Sequence, residues 1–332
     1  MLVRVGLHHS VQAFDRPWHE VMHEALDDAV LADELGYSSV LFAEHHQAED
    51  TWCPQPLTLA AAAAARTSRV QVGSNIQIAG LMHPLALAEN ALIVDAVSNG
   101  RGVLSMGAGW KEPDYLAFGL DFQHRFKALK EHTEVVRRLL DGEEVDYEGV
   151  YFRSHKARVR ISSPDPAGPS LWLGATYGRQ GIRRAARLSD AWVISSQVRE
   201  ADIPAQQELF AEARAEHGRP MPTQRPIRRE AFVAETSEQA WKQFAAGIHH
   251  EYGLIYRSRH PDYPPDGNWR DLRDWSEGLF VVGSPAEVSE RLASLSELGL
   301  TDALLRVHLP GVSPVDSRRA IELFGEVARD LA

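Results

Sequence analysis

Short apolar runs of strand length alternate with longer stretches in which apolar residues recur at helical spacing. The alternation holds over almost the whole chain. Residues 3–7 predict a strand, and 18–35 an amphipathic helix closed by Gly36. The same pairing repeats at 39–43 with 56–66, 70–78 with 85–97, and 102–106 with 125–140. It continues at 171–173 with 178–188, 191–194 with 203–216, 229–233 with 237–249, and 303–307 with 315–331. Eight strand–helix units favour a closed (β/α)8 TIM barrel over an open, doubly wound sheet.

Three intervals break the rhythm. After strand 4, residues 109–123 form a polar, aromatic excursion. Before strand 5, residues 143–169 carry the alternating VDYEGVYF, which predicts a small hairpin. Before strand 8, residues 251–278 are rich in Tyr, Pro, Asp, Arg and Trp, the composition expected of a lid.

Composition narrows the class. A chain of 332 residues suits one α/β barrel, so a single domain over 1–332 is expected. The formal charge of −11 argues against nucleic acid or an anionic membrane as partner. The lone Cys53 excludes an internal disulfide and suits a reducing cytoplasm. The first residues read as a strand without a cleavable leader, and the apolar stretch 51–65 holds two prolines and is too short to span a bilayer. A cytoplasmic location is expected.

In such barrels chemistry sits where strands end and the following loops begin. That rule selects His8-His9, Glu44-His45-His46, residues 75–82, Gly107 to Trp110, Ala175 to Arg179, Ser195-Ser196 and His308. Adjacent histidines on a strand point to opposite faces, unlike the His-x-His of metal barrels, so no metal-ligand set is assigned. A satisfied pair of strand-end histidines fits His45 and His46 as well as a proton-transfer role does. No G-x-G-x-x-G dinucleotide fingerprint follows any strand.

Several stretches, in order and with compatible spacing, resemble the bacterial luciferase-like monooxygenases. They are FAEHHQAED, RTSRVQVGSNIQIAGLMHPLALAE, GAGWKEPDYLAFG and VVGSPAEVSERL, followed by a C-terminal strand–helix unit. The resemblance implies a modified eight-stranded barrel and a flavin-dependent monooxygenase. Such an enzyme takes reduced FMN as co-substrate from a separate flavin reductase, and dioxygen, to oxygenate a small organic substrate. Two alternatives stay open: a deazaflavin-dependent hydride-transferring oxidoreductase on the same barrel, and a non-catalytic flavin-binding paralogue or helper subunit. A homodimer is expected, and the small side chains of 60–65 suit either a subunit interface or close packing within the barrel wall.

Residue by residue, the resemblance makes His45 the catalytic histidine, with Glu44 orienting it. It places a non-proline cis peptide at Asn75–Ile76, under the ring of the cofactor. Gly107 leaves room beside that ring. Ala108 stands where luciferases commonly carry a phosphate-binding arginine, and with Trp110 it resembles the uncharged loop of deazaflavin enzymes. Arg125 matches a family arginine. In SLWLGATYGRQGIRRAA, the turn Ala175-Thr176-Tyr177 and a helix starting near Gly178 offer a positive N-terminus to a phosphate, with Arg179 adding charge. An ordinary βα turn with a surface arginine has the same pattern. Trp110, Tyr115, Phe118, Tyr252, Tyr256, Tyr263 and Trp269 are candidates to wall a substrate pocket.

Overall fold

A computed structural model of the chain describes residues 3–175, 178–255, 260–264 and 268–331. Its elements run in chain order: β1 (Arg4–His9), α1 (Trp18–Leu35), β2 (Ser39–Phe42), α2 (Pro56–Arg66), β3 (Gln71–Ile78), α3 (Pro84–Ser98) and β4 (Gly102–Gly107). Next come α4 (Glu112–Ala117), α5 (Arg125–Leu140), β5 (Val145–Glu148), β6 (Arg153–Ala157), β7 (Ser170–Ala175), α6 (Arg179–Leu188), β8 (Ala191–Ile194) and α7 (Ile203–Glu216). The last third holds β9 (Pro226–Val233), α8 (Ser237–Ile248), α9 (Trp269–Trp275), β10 (Val281–Gly283), α10 (Pro285–Glu297), β11 (Asp302–Arg306) and α11 (Pro314–Leu331).

Strands β1, β2, β3, β4, β7, β8, β9 and β11 pair in parallel and close into the expected eight-stranded barrel. Closure between β8 and β9 rests on a single register pair, Ile194 with Ile227. The antiparallel β5–β6 hairpin forms where the alternating sequence predicts it. One unit departs from expectation: β10 extends β9 outside the ring and is followed by α10. Ser284 opens α10 with a reciprocal capping box to Glu287, and Pro285 presets its first turn. Among the described residues no helix is long and apolar enough to cross a membrane.

Period two decides what faces the barrel axis. Val40 and Phe42 join the core shared with the helices, whereas Leu41 between them belongs to a separate cluster with Val103, Trp172, Ala191, Val193 and Leu304. That cluster plugs the barrel interior. The parity carries upward towards the strand ends. His8 is level with Leu41, Ser105 lies two residues past Val103 opposite Asn75, and Arg306 lies two past Leu304 opposite Glu230. The interior therefore changes from an apolar plug to a polar layer, and the polar layer is the floor of a cavity.

Candidate active site

A cavity of about 630 Å³ opens at the C-terminal ends of the strands. Glu44, His45, Asn75, Ile76, Gly107, Ala108, Trp110 and Arg125 all line it. The Asn75–Ile76 peptide is cis. Ile76 lies against two glycines: a Cβ on Gly107 would stand 2.7 Å from its Cδ1, and one on Gly174 3.2 Å from its Cγ2. Side chains at either position would push Ile76 away, so the glycines let it form a flat shelf.

His45 stands at one edge of this shelf. Trp52 and Trp110 meet its ring edge-on, with centroids 4.5 and 5.9 Å away, and its backbone N–H donates to the Cys53 carbonyl at 3.2 Å. Burial holds the imidazole below the usual histidine range, and Lys111 pushes the same way. Asp114 opposes them, its Oδ2 lying 3.8 Å from His45 Nδ1. Glu44, expected to orient His45, is engaged elsewhere. Its carboxylate accepts from His46 Nε2 at 2.8 Å, from Gln77 Nε2 at 2.7 Å and from the Ile78 N–H. Two residues apart on the same side of a turn, Glu44 and His46 meet; His45 between them faces the cavity instead.

At the opposite edge, Arg125 and Arg184 flank Phe126, their guanidinium carbons 4.4 and 5.8 Å from its ring centre. Neither meets a carboxylate among the described residues. The Arg125 Nε is buried without a hydrogen-bond partner. The floor is different, because its charges balance. Arg228 donates to Glu230 at 2.8 Å and to Ser196 at 2.8 Å, while Arg306 donates to Glu251 at 2.9 Å and to Gln12 at 2.6 Å. His8 Nε2 lies 2.8 Å from the Asn75 carbonyl and must donate to it, which leaves Nδ1 as an acceptor. The cavity thus has a cationic rim on one side and a neutral polar floor.

Comparison with known proteins agrees with this architecture. Residues 2–302 match the family model described as luciferase-like monooxygenase. The chain belongs to the luciferase-like monooxygenase family. It is 25% identical to limonene 1,2-monooxygenase of Rhodococcus erythropolis over 347 residues, covering 95% of this chain and 84% of that protein. It is 31% identical to the F420-dependent glucose-6-phosphate dehydrogenase of Nakamurella multipartita over 180 residues, covering 52% of each. In fold it resembles the crystal structure of monooxygenase RslO1 from Streptomyces bottropensis, with a TM-score of 0.87, 22% identity, and coverage of 99% of this chain and 100% of that one.

Within this family fold the phosphate-side expectations divide. Thr176 and Tyr177 lie outside the described residues, as does Tyr256 among the aromatics. Gly178 and Arg179 are exposed and do not line the cavity, while the side chain of Ala175 lies outside what the structure describes. One turn further along α6, Gly181 and Arg184 do line it. A helix presents i and i+3 on one face, so GRQGIRR offered Gly181 and Arg184 as a pair that a reading centred on the turn passed over.

The expected aromatic wall is mostly elsewhere. Trp110 lines the cavity, joined by Trp52 and Phe126, which the sequence did not single out. Tyr115 is buried beneath the loop and donates to the Ala108 carbonyl at 2.7 Å. Phe118 packs on His46, their ring centres 4.9 Å apart. Tyr252 and Tyr263 belong to an aromatic cluster with Trp275 and Phe280, and Trp269 packs partly buried against the main core. No described residue of the 251–278 insertion lines the cavity, although Glu251 anchors its start to Arg306.

His9, on the other face of β1, meets Asp28 at 3.4 Å, and His308 meets the same oxygen at 2.9 Å. The donors are close enough for a metal, but His9 Nδ1 accepts the Val11 N–H at 3.0 Å. Its proton must then sit on Nε2, 3.4 Å from the Asp28 carboxylate. The trio is a polar clamp, with His308 hydrogen-bonded to Asp28 and His9 in charge contact with it, that fastens α1 to the ends of β1 and β11.

Proposed function

We propose that this chain is the oxygenating component of a two-component flavin-dependent monooxygenase. Reduced FMN would come from a separate reductase and, with dioxygen, would oxygenate a small, uncharged organic substrate. The observation that carries the reading is the shelf of Ile76 on Gly107 and Gly174, with His45 at one edge and two uncompensated arginines at the other. A planar ring fits the shelf, and a phosphate monoester fits the arginines. When bound, the reduced flavin supplies the electrons that activate dioxygen. Every other part of the task falls to the protein.

Arg125 and Arg184 hold the anionic tail and so fix where the ring lies. The cis Asn75–Ile76 segment and Ile76 support one face of it. His45, kept neutral by burial, accepts or returns a proton at the cavity edge. Trp52, Trp110 and Ile78 keep water away from that edge. The balanced floor of Arg228, Glu230, Arg306 and Glu251 offers no net charge to a substrate, which favours a neutral one. The homodimer expected from the family has a candidate face on α3, where Ile93 and Val97 are each 46% exposed.

The deazaflavin reading keeps one specific observation: the part of the loop that lines the cavity, Ala108 to Trp110, carries no cation. Coverage weighs the other way, because the monooxygenase relative aligns along 95% of this chain and the F420-dependent one along 52%. Titrating the purified protein with FMN, reduced FMN and F420 separates the two readings. Tight binding of F420 with none of reduced FMN would overturn the monooxygenase. His45→Ala is expected to abolish most product formation while leaving flavin affinity within about twofold, since the ring makes no salt link to the phosphate edge. Unchanged turnover removes His45 from the chemistry.

A further inference from the structure

We propose that Asp114 is the positioning residue of His45, holding the imidazole with its proton on Nδ1 and leaving the Nε2 lone pair for the cavity. This rests on the reading of the cavity as the reaction site. Asp114 belongs to α4, in the excursion after β4, and is 1% exposed. Neither of its carboxylate oxygens has a hydrogen-bond partner among the described residues. His45 Nδ1 is also buried without a partner, and the two groups face each other across 3.8 Å.

A buried carboxylate without a donor costs stability, and an asparagine of the same shape would cost less. Packing alone therefore does not account for it. The carboxylate makes chemical sense only if a proton-bearing group arrives, and Nδ1 of His45 is the group it faces. A shift of about 1 Å closes the gap to a charge-assisted hydrogen bond. The edge-on tryptophans Trp52 and Trp110 limit ring rotation, so the movement is a translation and not a flip.

With Nδ1–H bonded to Asp114, Nε2 becomes the acceptor. When Nε2 takes a proton, the imidazolium so formed is stabilised by the same carboxylate. Glu44 cannot serve, because His46, Gln77 and the Ile78 N–H already occupy its carboxylate. The other charges acting on His45 are Lys111, from the loop before α4, and Glu251, from the segment after α8. Their effects on the ring are opposite in sign.

The test needs no cofactor. In protein labelled with 15N-histidine, NMR titration reads the tautomer and midpoint of His45 directly. The wild type is expected to show Nδ1–H. Asp114→Asn is expected to lower the midpoint and move the population towards Nε2–H. Asp114→Glu, which restores a carboxylate, should return both signals towards wild type. An unchanged tautomer and midpoint in Asp114→Asn overturns the proposal, and so does a lower melting temperature with the His45 signals unmoved. Should the asparagine variant fail to fold, Asp114→Ser gives the same reading. Product formation is measured separately. If the NMR shifts appear while His45→Ala turns over normally, the positioning stands and the monooxygenase role of His45 fails.

Discussion

Two guanidinium groups, Arg125 and Arg184, flank one phenyl ring, and neither meets a carboxylate among the described residues. Burial lowers the Arg184 pKa and Arg187 adds to the effect, both signs of a cation short of partners. Arg184→Ala should therefore weaken FMN binding about 10- to 100-fold, the worth of one charge-assisted phosphate contact. Riboflavin, which lacks the phosphate, should bind the variant and the wild type alike. Arg179→Ala should change neither, as Arg179 is exposed and away from the cavity. Flavin fluorescence quenching reads all three; equal losses for FMN and riboflavin would place the phosphate elsewhere. His45, Asn75, Gly107 and Trp110 were legible because strand ends and family motifs both mark them. Asp114 was not: one aspartate in a polar loop gives no signal until the fold turns it towards an imidazole. Arg184 was hidden for a different reason, since attention to the turn favours the first residues of a helix over its second turn.

Single side chains also decide how elements join. Asp33, in the last turn of α1 and 6% exposed, accepts hydrogen bonds from the N–H groups of Ser68, Arg69 and Val70 at 3.1, 2.7 and 2.8 Å. It thereby splices the end of α1 to the entry of β3. Burial alone would raise its pKa, but the Val70, Arg69 and Ser68 N–H groups win and hold it below the usual carboxylate range. Asp33→Ala should cost about 2 kcal/mol, because it removes three backbone hydrogen bonds at once and leaves the buried Val70 N–H without its acceptor. A urea midpoint within error of wild type would contradict that. The strands themselves were legible in sequence because parallel strands covered on both faces are apolar throughout, as in SVLF and AWVI. Where the site intrudes, that signal fails. The start of β9 reads PIRRE because Arg228 and Glu230 line the barrel interior, so the strand was recognised only from Arg229 onward. β10 was missed for its length: three residues are too few for a period to show.

Over the whole molecule, the polar interior has a thermodynamic signature in histidine protonation. Burial is the largest cause holding His8, His45 and His132 below the ordinary histidine pKa, and it lowers His9 from 6.5 to about 4. In the unfolded chain all four regain ordinary values and bind protons that the native state refuses. Below pH 6.5 the unfolded state thus carries the extra protons, and folding stability falls with falling pH; above it the two states match and the curve is flat. The His9 share is lost between pH 6.5 and about 4. Asp28 adds to the slope only further down. Burial would raise it, but His308 and His9 hold it far below the carboxylate range, so its contribution persists until stronger acid. The melting temperature should accordingly be level from pH 8 to 7 and drop steadily from pH 6.5 to 4. His9→Gln should flatten part of that drop while lowering the plateau, because it also opens the clamp between α1 and the ends of β1 and β11. Calorimetry across the range decides: a melting temperature constant down to pH 4 would mean that these rings ionise freely inside the fold. In that case the dry, neutral environment assigned to His45 would fall with them.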